Sequence, residues 1–488
     1  MSADLPAEPA TEAYPLLIGG ELVTAAESFA AVSPHDNTEV ARISLAGPAE
    51  IDRALAAARA AADGPWRHST GKERAAALRR IADLVEKHAE SLAYLEAVDT
   101  GKPIGSVHYS DLATGLDALD YHAGAARTAR TTSATLPDAG VHHHALREPY
   151  GVVAEILPWN GPLWTGIQHV AAILAAGNAV VVKPAEWASL SFARFAQLLA
   201  EADLPPGVVN VVAGPGGVVG DALVADPRVD LVSLTGSVET GRKVLARVAP
   251  RLARVSLELG GKNPNLVFAD ADLDQAAFWS ALGAFANSGQ ICVCGSRILV
   301  QRPVYAEFVS RLAAAAEAYV VGDPLDPDTQ LGPVISTAHA AKVWGYVETG
   351  RAEGRLVAGG ERYTDPVRAA GCYVPPTVFA DAAPDCRIAT EEIFGPVVAV
   401  LPFDTAEEAV AIANSTEYGL AAGLFTADLD RAWRVAGALR AGQVYVNQWF
   451  TPGSGETPSL GYKQSGHGAV ADRYSQLKNV FFRTTPPI

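Results

Sequence analysis

The chain reads as an α/β protein in two parts, a doubly wound parallel sheet followed by a second α/β unit. Three observations predict this. Short β-rich runs alternate with helical stretches through the middle and end of the chain, a pattern that builds parallel sheets. At 488 residues the chain exceeds a single common core, so two or more domains are expected. With 49% hydrophobic and 19% charged residues, its composition is that of an ordinary globular enzyme.

Taken in order, residues 1–47 carry short β-type runs at Tyr14–Ile18 and Glu39–Ile43. An Ala-rich helical pattern follows from Pro48 to about Ala62, and a second from Gly71 to about Asp99, both read as amphipathic covering helices. From Arg127 to His144 the chain is polar and extended, with too few apolar residues for a core, and reads as a linker or exposed hairpin. The strand candidates of the first sheet are Gly151–Ile156, Ala179–Lys183, Val208–Val212, Leu231–Leu234 and Val255–Leu259, with helices at Ser191–Glu201 and Gly217–Ala225. The second unit has strands at Arg297–Gln301, Val397–Phe403 and Gln443–Asn447 and helices at Val304–Tyr319 and Ala406–Ser415. No internal repeat or low-complexity segment interrupts it.

Charge and cysteine content narrow the function. Lys+Arg 38 against Asp+Glu 54 gives −16, which argues against nucleic acid or an anionic membrane as partner. The acidic N-terminus carries no basic and apolar leader pattern, so no secretory signal is expected. The longest apolar run, Val170–Val182, is broken by Gly177-Asn178 and is too short to span a bilayer; it reads as buried core. Four cysteines, at 292, 294, 372 and 386, suit neither a disulfide scaffold nor a zinc site, so a reducing cytoplasm is the expected compartment. His142-His143-His144 reads as a solvated arm, because neighbours on a strand point to opposite faces; no metal is expected.

The stretch Ser256–Arg297 carries the chemistry. It holds a carboxylate, Glu258, beside a Gly-Gly turn, and a thiol, Cys292, behind a Gly-Gln turn. A thiol that attacks a carbonyl needs access, donors that favour the thiolate, and a base for its proton or for a water. The motifs L-E-L-G-G-K at 257–262 and F-x-x-x-G-Q-x-C at 285–292 resemble the two active-site signatures of the aldehyde dehydrogenase superfamily. The resemblance extends from Asp99-Thr-Gly-Lys-Pro103 to Ser465-Gly-His-Gly468.

That resemblance implies a Rossmann-like NAD-binding domain at 1–126 and 150–258, a catalytic domain at 259–464, and an oligomerisation arm at 127–149 and 465–488. The arm would pair with another subunit in a homodimer or homotetramer. For the cofactor, Leu234-Thr-Gly236-Ser237 ends a strand and begins a helix, whose N-terminal N–H groups favour a pyrophosphate. Gly214-Pro-Gly216-Gly-Val-Val-Gly220 departs from G-x-G-x-x-G by one residue and reads equally as a turn, with Gly220 retained as a candidate. Lys183 and Glu186 would hold the adenosine ribose, and a carboxylate there repels a 2′-phosphate, favouring NAD over NADP. Glu392 and Phe394 would meet the nicotinamide ribose and ring, and Ile156, Pro158, Trp159 and Leu259 complete the implied cofactor site.

The implied reaction oxidises an aldehyde to its acid. Cys292 would form a thiohemiacetal whose oxyanion meets the Asn160 amide and the Cys292 N–H, and Glu258 would activate the water that hydrolyses the thioester. Three positions depart from the family pattern: His169 where a relay lysine is common, Ser459 where an aromatic lines the substrate tunnel, and Val470 where a glutamate is common. His169 reads equally as a relay imidazole or a satisfied core residue. Trp164 and Trp449 fall where tunnel residues occur, which favours an apolar or aromatic aldehyde, though core roles fit them as well. Cys294, Cys372 and Cys386 read as structural. The alternatives are a coenzyme A-acylating relative, which Glu258 opposes; a cofactor-free thiol esterase; and a silent dinucleotide-binding protein.

Overall fold

The computed structural model describes residues 13–138, 140–450, 456–457, 461–468 and 473–484. Two large sheets organise it. The first runs Glu21–Val23, Leu16–Ile18, Val209–Val211, Ala179–Lys183, Val152–Ile156, Leu231–Thr235, Arg254–Glu258, Gly466–His467. Its five central strands are parallel, and the two outer pairings, Leu16–Ile18 on Val209–Val211 and Gly466–His467 on Arg254–Glu258, are antiparallel. Strand order reverses between Val152–Ile156 and Leu231–Thr235, which opens a crevice at their carboxyl ends. The central strands are buried on both faces, and their unbroken Val-rich runs are what such burial requires.

The second sheet runs Arg355–Ala358, Thr377–Ala380, Val397–Phe403, Arg297–Gln301, Pro264–Val267, Ala421–Phe425, Gln443–Val446, all parallel except its first strand. Only residues 259–263 separate the last parallel strand of one sheet, Arg254–Glu258, from the first strand of the other, Pro264–Val267. The carboxyl edge of the first sheet therefore faces the amino edge of the second, and the motif residues collect along this seam.

Several sequence-predicted boundaries shift. The helix expected from Gly71 to Asp99 is two, Gly71–Lys87 and Ala89–Thr100, because His88 leaves helical geometry at φ −109 and ψ 16. Thr70 caps the first of them in a reciprocal pair with Glu73. The helix expected at Gly217–Ala225 opens as a π turn, Gly216–Gly220, and becomes α-helical at Asp221–Ala225. The extended stretch expected from Arg127 begins two residues later, after the helix Ala113–Thr128. Val170–Val182 is buried as read, divided between the helix Pro162–Ala176 and the strand Ala179–Lys183.

A two-stranded ribbon stands apart, Val141–Pro149 against Ser475–Arg483 in antiparallel register from Ser475↔Pro149 to Arg483↔Val141. His142 and His144 are exposed on it, and His143 Nε2 meets Asn479 Oδ1 at 2.9 Å. Its outer strand exposes Leu477, Phe481 and Phe482. The ribbon is fastened to the first sheet through Asn178, fully buried, whose Nδ2 donates to Tyr474 O at 2.8 Å while its Oδ1 accepts the Gly151 N–H at 3.0 Å. Replacing Asn178 with Ala strands both groups, so Asn178→Ala should cost about 2–4 kcal/mol. A thermal midpoint equal to that of the wild type would show that this amide does not hold the ribbon.

Candidate active site

The turn that carries Cys292 follows the helix Leu273–Phe285 and is built from three consecutive left-handed residues, Asn287 (φ 51), Ser288 (φ 55) and Gly289 (φ 72). For the two residues that bear a Cβ this conformation is strained, and it persists only where the surroundings fix it. They do. Asn287 Nδ2 donates to Asn160 O at 3.0 Å, Ser288 Oγ to Gly332 O at 2.7 Å, and Gln290 Nε2 to Asn287 O at 3.0 Å. Gly289 lies so close to Gly395 that a Cβ would stand 2.2 Å from its carbonyl oxygen. The Gly-Gln of the motif is thus a geometric requirement of the turn.

Beyond the turn, Asn263 Nδ2 donates to both Cys292 O and Cys294 O at 2.8 Å, while its Oδ1 accepts the Ala421 N–H at 3.0 Å. A Cβ on Gly261 would lie 2.7 Å from Cys292 O, and one on Gly260 only 2.2 Å from a Glu392 carboxylate oxygen. The two glycines of L-E-L-G-G-K therefore admit the nucleophile loop on one side and Glu392 on the other. Glu392 Oε1 accepts the Gly261 N–H at 2.8 Å. Asn160 Nδ2 donates to Gln290 O at 2.8 Å, which uses one of its two N–H groups and leaves one for a ligand.

Electrostatically, the surroundings of Cys292 differ from the sequence expectation of a donor-rich environment. Burial, followed by the carboxylates of Glu258 and Glu392, pushes its thiol up to about 12, and the N–H groups of Val293 and Cys292 offset this only in part. The sulfur rests protonated at neutral pH. Glu258 ends the strand Arg254–Glu258, and burial raises its carboxyl above the usual range against the opposing charges of Arg473, 3.9 Å away, and His169. A carboxylate so raised takes up a proton more readily than an exposed one.

His169 is buried in the helix Pro162–Ala176, with Nδ1 2.8 Å from Oε1 of the fully buried Glu155. Tyr474 OH donates to the other oxygen of that carboxylate at 3.3 Å.

Along the crevice, Ser237 caps the helix Val238–Val248 by accepting the Thr240 N–H at 3.1 Å, with Gly236 immediately before it. Lys183 Nζ donates to Glu186 Oε2 at 3.1 Å and to Pro184 O at 3.0 Å, and Gly220 packs beside its aliphatic stem. Burial pulls the Lys183 ammonium down; burial also acts on Glu186, where Lys183 and the Gly216 N–H prevail and hold the carboxyl low. Leu259 packs against Gly241 and donates its N–H to Ser465 O at 2.9 Å. Ile156 ends its strand, and Pro158 and Trp159 follow. Trp159 stacks edge-to-face on Phe394 with centroids 5.2 Å apart, and Phe394 itself has φ +61. A helix N-terminus, a Lys–Glu pair at a strand end and a half-buried aromatic wall along one crevice fit a dinucleotide.

The wider pocket is more mixed. Trp164 is half-buried in the helix Pro162–Ala176. Trp449, read as a tunnel candidate, is instead fully buried: it fills the space over Gly283, Gly295 and Gly423, and its Nε1 donates to Val293 O at 3.0 Å. It backs the nucleophile loop. Ser459 and Val470 lie outside the described residues. Cys294 is buried, with its thiol raised by burial to about 12, and all four cysteines are free. Among the described residues no His, Cys, Asp and Glu side chains group to hold a metal, and no helix is long and apolar enough to cross a membrane.

Four contributors escaped the sequence reading. Asn263 stands next to the recognised motif and offers a local signal. Tyr445, its phenol raised first by burial and then by the nearby Cys292 sulfur, adjoins the thiol, His339 Nε2 meets Phe394 O at 2.7 Å, and the Glu155–Tyr474 link spans 319 residues. None of these three has a sequence signature.

A dinucleotide crevice meeting a thiol and two carboxylates defines a cofactor-linked thiol enzyme. Comparison with known proteins narrows the class. The profile of the aldehyde dehydrogenase family matches residues 23–482. A betaine aldehyde dehydrogenase of Cereibacter sphaeroides is 47% identical over 462 residues, covering 93% of this chain and 94% of the relative. Among solved structures, betaine aldehyde dehydrogenase from Staphylococcus aureus in complex with NAD+ superposes with a TM-score of 0.93 at 35% identity, covering 98% of this chain and 96% of the other. The P. syringae indole-3-acetaldehyde dehydrogenase, complexed with NAD+ and IAA, gives 0.94 at 40% identity, covering 97% of each chain. The chain belongs to the aldehyde dehydrogenase family. It is an NAD-dependent oxidoreductase that converts an aldehyde to its acid.

The raised thiol can be measured directly. In the enzyme without NAD, alkylation of Cys292 by iodoacetamide, followed by mass spectrometry of its peptide, should quicken about tenfold per pH unit from roughly pH 7 to 9. A rate that levels off within that interval would mean that the thiolate is already formed.

Proposed function

We propose that Cys292 is the nucleophile, Glu258 the general base and Asn160 the oxyanion donor of this aldehyde oxidation. The observation that carries the assignment is their convergence on one seam: Asn160 bonds the carbonyl two residues before Cys292, and the Glu258 carboxylate acts on the Cys292 sulfur. Burial and the two carboxylates make the thiolate costly to reach at neutral pH. NAD, when bound, supplies a cationic ring that lowers this cost and accepts the hydride from the substrate carbon.

Glu258 takes the thiol proton, and the sulfur adds to the aldehyde. The free N–H of Asn160 and the Cys292 N–H hold the oxyanion of the thiohemiacetal. After oxidation to the thioester, Glu258 takes a proton from water, the hydroxide attacks the acyl carbon, and the acid leaves as Cys292 recovers its proton. Glu155 orients His169 through Nδ1, and His169 receives the thiol proton from Glu258 before hydrolysis, so that the proton Glu258 then takes from water can return to the Cys292 sulfur. Lys183 and Glu186 hold the adenosine ribose, Gly236, Ser237 and Gly220 border the phosphates, and Glu392 and Phe394 place the nicotinamide end. Ile156, Pro158, Trp159 and Leu259 form the walls.

For the substrate, the half-buried Trp164 and the nearby Tyr445 support an aldehyde with an apolar or aromatic body, in keeping with the likeness to the indole-3-acetaldehyde enzyme. The exposed Leu477, Phe481 and Phe482 support association of copies through the ribbon, as a homodimer or homotetramer. Four free cysteines support a cytoplasmic compartment. The two sheets support domain limits near 126, 150, 258 and 464, although Gly466–His467 of the assigned arm pairs with the first sheet.

Absorbance at 340 nm tests the reading. Wild-type protein with NAD should form NADH on a panel of aliphatic and aromatic aldehydes, and Cys292→Ala should form none. Appreciable NADH from the variant would remove Cys292 from the mechanism, and thioester product dependent on coenzyme A would favour acyl transfer.

The proton path has its own test. Glu258→Gln removes the carboxylate that raises the thiol, so a pre-steady-state burst of NADH should survive while turnover slows roughly 10²–10⁴-fold. His169→Gln should keep the burst, lower kcat about tenfold and leave KM unchanged. Wild-type turnover in either variant would reassign that step.

A further inference from the structure

The reaction leaves unused a set of buried charges in the helix Ala89–Thr100 and the motif Asp99-Thr-Gly-Lys-Pro103 at its end. Glu96 is fully buried, Asp99 and Lys102 nearly so, and Asp111, carried by the π turn Val107–Leu112, is buried with them. Lys102 Nζ donates to Glu96 Oε1 at 3.3 Å and to Asp111 Oδ2, so the carboxylates have their counter-ion within the cluster. That accounts for one oxygen of Glu96.

The other oxygen, Oε2, accepts the Leu163 N–H at 3.1 Å and the Ser191 hydroxyl at 2.8 Å. On the same face of the helix, Asp99 Oδ2 accepts the Leu190 N–H at 2.8 Å. These donors open two helices, Pro162–Ala176 and Leu190–Glu201, and neither helix has a side-chain cap of its own. For the first there can be none. Its cap position is Gly161, and Pro162 brings no N–H, so the Leu163 N–H is the first that the helix presents. Leu163 is fully buried, and Glu96 satisfies that N–H from another helix.

Asn160 stands just before this capped turn. Its amide donates to Gln290 O at 2.8 Å and its carbonyl accepts from Asn287 Nδ2 at 3.0 Å, both on the nucleophile turn. Glu96 fixes the chain on the other side of it. We propose that Glu96 is a positioning residue of the aldehyde oxidation: by holding the start of the helix Pro162–Ala176, it sets where the Asn160 amide stands against the nucleophile turn. A carboxylate suits the task because one oxygen faces Lys102 while the other takes two donors. The inference rests on Asn160 as the oxyanion donor, and the test separates the two.

Rapid mixing of the full-length enzyme with saturating NAD and the best aldehyde of the panel reads the NADH burst. Glu96→Asp keeps the charge facing Lys102 but falls short of the Leu163 N–H, and should slow the burst roughly 10–100-fold while NAD affinity, read by tryptophan quenching, stays unchanged. Glu96→Gln keeps an oxygen for that N–H and should recover most of the rate. In an Asn160→Ala background Glu96→Asp should add nothing, because the group it positions is gone. A cap with a merely structural role would slow both backgrounds by the same factor; that result, or a wild-type burst in Glu96→Asp, would overturn the inference. A wild-type burst in Asn160→Ala alone would instead remove the oxyanion assignment, and the inference with it. Should Glu96→Asp not fold, Glu96→Gln decides: a lost burst despite tight NAD binding would mean that Glu96 supplies charge and not position.

Discussion

The Asn263 carboxamide is the fastening on which the rest of the site depends. Its N–H groups hold the carbonyls on either side of Val293, and its oxygen is tied to the Ala421 N–H, so one side chain fixes the nucleophile loop to the second sheet. The loop must be held this way because it enters through three left-handed residues, two of them not glycine. A conformation that unfavourable would relax if any of its partners were free to move. Trp449 closes the other side, fully buried with its indole N–H on Val293 O, so the thiol sits on a rigid shelf rather than a mobile loop.

The same rigidity explains why the resting sulfur is a poor nucleophile. Closing two carboxylates and a thiol into one seam favours the neutral thiol, because each added negative charge would face two others in a poorly solvated site. The arrangement makes sense when the seam has to accept positive charge before the chemistry begins. A cationic ring held by Glu392 and Phe394 would oppose the field of these carboxylates and make reactivity conditional on cofactor. Such a thiol is spared from oxidation and alkylation while it waits.

What could be read from the sequence divides along a physical line. Local features were legible: the Val-rich strands Ala179–Lys183, Arg297–Gln301 and Val397–Phe403 fall where their periodicity placed them, since strands buried on both faces leave an unbroken apolar run. The motif glycines were legible as motifs, but their reasons, the carbonyl of Gly395 against Gly289 and the carboxylate of Glu392 against Gly260, join residues more than a hundred positions apart. Trp449 stayed open between tunnel and core because a large aromatic near a motif reads alike whether it faces substrate or fills the core. The electrostatics at Cys292 was also out of reach, since it depends on burial and on Glu258, at a strand end, meeting Glu392, from the segment before the strand Val397–Phe403.

The end of the chain connects these themes. Arg473 lies 3.9 Å from Glu258 and donates to Ser256 Oγ at 2.5 Å; Tyr474 reaches Glu155 through its hydroxyl and Asn178 through its carbonyl; and Ser475 begins the ribbon strand. Three consecutive residues thus pass from the carboxylate at the thiol, through the carboxylate that orients His169, into the exposed ribbon. Burial raises the carboxyl of Glu258 and Arg473 opposes that rise, so the balance at this carboxylate depends on the segment that carries Arg473. Because the ribbon and the docked pair are continuous, whatever packs on Leu477, Phe481 and Phe482 also steadies the environment of Glu258.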